Sequence, residues 1–182
     1  LWESNHPLQG ADGPTETAIS MAATLVALFV RGEYMVSLAG HGLPADLELP
    51  SRGEAYLDRV LVALAQAKPE PGLSFCEFCT ERARRSPRLA SVFAVSPAAE
   101  PGLEDTIASL SSRGAQVTTL LVGGAEADDD AIPRRLWASA HEELAARLRA
   151  SDAQAVTVVS PDAIPLALGR LAGDASREVA VH

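Results

Sequence analysis

Two cysteines, Cys76 and Cys79, stand in a C-x-x-C. Such a pair carries thiol–disulfide chemistry when a strand leads into it and it opens a helix, where the dipole lowers a thiol pKa. No convincing strand precedes it here, and the segment reads as the inside of a helix. A zinc site needs a second pair of ligands, and His6, His41 and His141 are scattered without paired spacing. The simplest reading is two cysteines packed on a helix as small hydrophobes. The alternative is a small α/β enzyme, thiol–disulfide or cofactor-binding, that uses Cys76 and Cys79. Two cysteines make no disulfide framework, which fits a reducing compartment.

The other chemical candidates are weaker. His141-Glu142-Glu143 lacks the second histidine of a zinc helix, since Ala145 holds that place, and the stretch reads as a solvated helical face. Gly123-Gly124 follows an apolar run, but Asp128, Asp129 and Asp130 beyond it would repel a phosphate. No G-x-G-x-x-G, Walker lysine or G-x-S-x-G occurs. Asp162 reads as a helix N-cap. Ser37, Ser91 and Ser160 read as strand and turn hydroxyls.

The elements that must position these residues are organised around residues 14–39. Pro14 suits a first helical position, and Glu16 faces the positive end of the helix dipole. Residues 18–30 are nearly all apolar, so the helix is expected to be buried on most sides. This run is roughly thirteen residues, short of the roughly 20 that a membrane span needs. Gly32 is expected to take the left-handed position past the helix end, with a buried strand over 34–39. Residues 46–49 alternate and stop at Pro50, which predicts a short antiparallel edge strand forming a hairpin with 34–39.

Beyond this, the periodicity predicts a helix over 54–67 with Leu57, Val60, Leu61 and Leu64 on one face. It predicts further helices over 75–84, 103–113, 134–149 and 162–171. The helix over 134–149 carries Leu136, Leu144 and Leu148 inward. Strands are expected over 89–95, 116–122 and 155–158. Leu1-Trp2 reads as the end of a strand and residues 173–182 as a loose tail. Strands alternating with helices make a parallel sheet covered on both faces, and near-continuous apolar runs are what such strands require.

The chain has 182 residues, one domain by default and long enough for a real core. Its formal charge of −9 opposes non-specific nucleic-acid binding and docking on anionic membranes. Alanine-rich composition with 4% aromatics fits a bacterial protein from a GC-rich genome.

The order of elements resembles the von Willebrand factor A fold. More narrowly, the chain resembles the C-terminal, von Willebrand A-like part of the domain-of-unknown-function 58 family. The resemblance is carried by Leu1-Trp2 with the polar loop after it, by residues 16–26 (ETAISMAATLV), by 91–97 (SVFAVSP) and by 113–117 (RGAQV). It implies a three-layer α/β fold, mostly parallel, with one short antiparallel edge strand. It also implies an interaction role, often alongside a MoxR-type AAA ATPase and a membrane-anchored upstream segment. In such folds a metal site forms from an Asp-x-Ser-x-Ser loop, a threonine and an aspartate, the hard oxygens that Mg²⁺ prefers. The matching places here read Glu3-Ser4-Asn5, Ser51-Arg52-Gly53-Glu54 and Val95-Ser96-Pro97. All three depart from the pattern.

The resulting expectation is a non-catalytic, cytoplasmic protein-interaction domain over 1–172, without metal or cofactor. Its contact surface would be Glu3, Ser4, Asn5, Arg52, Glu54 and Ser96. The partner would be a protein, with an AAA ATPase and self-association both in view. A first strand that holds only Leu1-Trp2 would be completed by upstream residues or by another chain.

Overall fold

A computed structural model of the chain describes residues 14–67, 74–85, 91–96, 100–122, 131–151, 153–158 and 161–169. Leu1-Trp2, the loop with Glu3, Ser4 and Asn5, residues 97–99, 123–130 and 170–182, and the side chain of Leu136 lie outside the described residues.

The first helix, α1 (Pro14–Arg31), spans the stretch its sequence marks. It has two buried faces. Ala18, Met21 and Leu25, at helical spacing, pack on Leu120, Val122, Val156 and Val158 of a sheet. Ala22, Val26 and Val30 pack instead on α2 (Glu54–Gln66), through Tyr56, Leu57, Val60 and Leu64. A stripe with Glu16, Thr24, Leu28 and Arg31 is exposed.

The sheet holds β1 (Ser91–Ser96), β2 (Gln116–Val122) and β3 (Gln154–Val158), all parallel, with β2 in the middle. Ser96 pairs with Leu121, which pairs in turn with Thr157. Helix α4 (Leu103–Ser112) connects β1 to β2, and α5 (Ala131–Ala150) lies between β2 and β3 in the chain. Successive strand residues point to opposite faces. Val117 and Leu121 therefore meet Leu103, Ile107 and Leu110 of α4 and Leu144 and Leu148 of α5, while Leu120 and Val122 meet α1. Helix α3 (Phe75–Arg85) adds Phe75 and Ala83 to the α4–α5 side. A short 3-10 turn, Pro161–Ala163, runs into helical residues 164–169, whose Ile164 and Ala167 pack on the α1 side. The sheet is thus covered on both faces, a mixed α/β arrangement. Among the described residues, no helix is long and apolar enough to cross a membrane.

The structure corrects several expectations. Residues 46–49 are not an edge strand: they belong largely to a 3-10 turn, Ala45–Glu48. Strict alternation would place Leu47 and Leu49 on one side, yet Leu47 is buried and Leu49 is 68% exposed. Residues 34–39 are not a buried strand either. They form one isolated antiparallel bridge, Val36 with Ser51, and Tyr34 and Met35 stand in solvent. On α2, Leu61 faces outward and Tyr56 takes the inner place. Asp162 sits within its 3-10 turn instead of capping a helix.

The end of α1 is also arranged differently. Tyr34 N–H donates to Phe29 O and Glu33 N–H to Val30 O, the paired bonds of a Schellman motif. Its left-handed residue is Glu33, at φ 63°, not Gly32. A Cβ at position 32 would lie 3.0 Å from the exposed Tyr34 ring, which would have to shift slightly to admit it. That ring stands edge-on to Phe29, with centroids 5.8 Å apart.

A left-handed backbone costs a non-glycine residue about 1–2 kcal/mol. Glu33→Gly is therefore expected to raise stability by about 1 kcal/mol in urea denaturation. An unchanged midpoint would show that this helix end is not held as described.

Candidate functional site

Arg52 and Glu54 flank Gly53 at the start of α2, and both are exposed. Gly53 adopts φ 84° and ψ 166°, a backbone region essentially reserved for glycine. It accepts the first bonds of α2, from the N–H groups of Tyr56 and Leu57. The strap before it, residues 34–52, is fastened along its length. Val36 and Ser51 exchange two backbone bonds of 2.8 Å, and Leu38 N–H donates to Leu47 O at 2.8 Å. The buried Tyr56 hydroxyl donates to the same Leu47 carbonyl at 3.0 Å. Arg59 binds Asp46 at 2.9 Å, and Arg82 of α3 binds Glu48. Leu47 is the strap's apolar anchor, at 1% exposure.

What the strap holds outward is apolar. Tyr34 and Met35 precede the bridge residue Val36, and Leu49 lies two residues before its partner Ser51. All three are more than half exposed. Arg52 and Glu54, of opposite charge, follow the bridge residue Ser51. Aromatic residues, Met and Arg are enriched where protein surfaces meet.

Ser96 does not join this surface. It ends β1 with 0% exposure, and its sheet packs in clusters separate from the one that seats α2 and the strap. Burial rules it out as a group offered to a partner. Glu3, Ser4 and Asn5 lie outside the described residues. Tyr34, Met35 and Leu49 escaped the sequence reading because apolar residues in an extended segment were assigned to a core. The signal that could have found them is punctuation: Gly40, Gly42, Pro44 and Pro50 leave little room for a hairpin ladder.

His141 is the second correction. It is fully buried on α5, whereas Glu142 and Glu143 are exposed as expected. Its spacing of three and seven from Leu144 and Leu148 puts it on the apolar face, which the sequence already contained.

Cys76 and Cys79 lie one turn apart near the start of α3, both as free, half-buried thiols. They pack against the cluster of α4 and the sheet. Burial pushes the Cys76 thiol up, and the carboxylates of Glu100 and Asp105 add to this while Thr106 opposes it. Burial pushes Cys79 up from 9.0 to about 12, with Cys76 and Glu100 contributing. Among the described residues, no group of three or more His, Cys, Asp or Glu is placed to hold a metal ion.

A thiol pKa raised in the folded state stabilises the protein below the unfolded value, and this contribution fades as pH climbs through the folded value. Unfolding free energy should therefore decline between pH 9.0 and about 12 through Cys79. Cys79→Ala should flatten that decline in urea titrations run across the window. An unchanged slope would place Cys79 in a more solvated setting.

Comparison with protein-family models, with curated proteins and with solved structures finds no match to this chain.

Proposed function

We propose that the chain is a non-catalytic protein-interaction domain, von Willebrand A-like and of the domain-of-unknown-function 58 type. Its contact surface is the strap of Tyr34, Met35 and Leu49 with Arg52 and Glu54. The observation that carries this reading is that three large apolar side chains stand in solvent on a segment fastened by backbone bonds, a buried tyrosine and two ion pairs. A segment so fixed loses little conformational entropy when a partner covers it. A parallel sheet with helices on both faces suits the fold assignment. The partner proposed from the resemblance is a MoxR-type AAA ATPase, and contact does not pass through a metal ion, since all three loops lack the expected oxygen ligands.

The alternative, a thiol–disulfide or cofactor-binding enzyme using Cys76 and Cys79, has one feature in its favour: Cys76 lies in the first turn of α3. Raised thiol pKa values oppose it, because attack requires the thiolate.

The test is a pull-down of a MoxR-type AAA ATPase by this domain, with titration by calorimetry. Binding should persist in EDTA and weaken about tenfold in the double variant Met35→Ser, Leu49→Ser, the loss of one or two anchor side chains. Binding that needs Mg²⁺, or that ignores the double variant, would contradict the assignment.

A further inference from the structure

The first turn of α3 is closed by oxygen atoms. Ser74 is its N-cap: Ser74 Oγ accepts from Glu77 N–H at 3.0 Å, and a Glu77 carboxylate oxygen accepts from Ser74 N–H at 3.0 Å. This reciprocal pair satisfies two donors of the helix start. The N–H groups of Phe75 and Cys76 remain, and both go to Glu100, at 3.2 and 3.4 Å, from the turn that precedes α4. The free N–H groups of a helix start are what stabilise a thiolate placed there. In this protein a carboxylate from another segment already holds them.

We propose that Glu100 keeps the Cys76–Cys79 pair as unreactive thiols, by holding with its own carboxylate the helix terminus that would otherwise stabilise a Cys76 thiolate. The rest of the surroundings agree. The Cys76 thiol lies 3.9 Å from the Pro101 carbonyl, to which it donates, a role open to the thiol and closed to the thiolate. Among the described residues, the groups that bear on Cys76 are Glu100, Asp105 and Thr106, with Cys79 one turn on, and none of these is a cation. The arginines of α3 are turned elsewhere: Arg82 pairs with Glu48, and Arg84 and Arg85 pair with Glu81. Burial is the largest single effect on both thiols, so Glu100 acts on top of it, as a positioning residue.

Alkylation by iodoacetamide reads this directly. Cys76 loses its proton to solvent, its sulfur forms a bond to the reagent's methylene carbon, and iodide leaves with the electron pair. Site-resolved rates by mass spectrometry across pH 7–10 compare wild type, Glu100→Gln and Asp105→Asn. In Glu100→Gln, Cys76 should react about threefold faster at pH 8, with its pH midpoint lower, as expected when one nearby negative charge is removed. Asp105→Asn should move it less, and Cys79 should stay slow in all three. Equal Cys76 profiles in wild type and in a Glu100→Gln protein with native circular dichroism would overturn the proposal. Should Glu100→Gln fail to fold, Glu100→Asp decides, because its shorter carboxylate withdraws from the two N–H groups while keeping the charge. Faster alkylation of Cys76 in Glu100→Asp than in wild type supports the role, and an equal rate refutes it.

Discussion

Helix α1 must be buried on two sides at once, and the rest of the structure depends on this. Its sequence offers apolar side chains around most of its circumference, which water disfavours at roughly 25 cal/mol per Å². A single sheet face can cover only part of such a helix. The chain meets the remainder with α2, so that Ala22, Val26 and Val30 see Tyr56, Leu57 and Val60 while Ala18, Met21 and Leu25 see the sheet. The small residues Ala18 and Ala22 let both neighbours approach closely. The strap follows from the same demand, because the segment leaving α1 must travel back to begin α2. It crosses the surface and is fastened there through Leu47 and Tyr56.

This arrangement separates two regions with different chemistry. On one side, α3, α4 and α5 cover the sheet, with the half-buried cysteines packed against them and His141 buried on α5. Polar groups there serve packing and helix ends, as the bonds from α3 to Glu100 illustrate. On the other side, the strap leaves apolar groups in solvent. The proposed recognition of a partner rests on those exposed groups.

Much of this was legible in the sequence because long periodic segments specify themselves. The bounds of α1 and β2 agree with the pattern, since apolar residues there are buried on nearly all sides and no local signal competes. Short segments failed for identifiable reasons. At 46–49 the alternation of acid and leucine imitates a strand, but Asp46 and Glu48 serve ion pairs with Arg59 and Arg82 instead of lining a wet face. At 32–33 local propensity favours glycine in the left-handed place, yet the Schellman bonds of α1 put Glu33 there, one residue later. The acidic neighbours of His141 suggest a wet face, whereas its spacing to Leu144 places it inside. Ser96 was judged by loop proximity, and its position at a covered strand end decided otherwise.

Amide hydrogen exchange along α1 tests the two-sided burial most directly. Exchange in native conditions reports the free energy of opening each segment. The account predicts that the amides of residues 18–30 exchange as slowly as those of β2, in a single cooperative unit with α2. Fast exchange across 18–30, while β2 and α5 stay protected, would mean that α1 lies loosely on the sheet and that the strap has no rigid support.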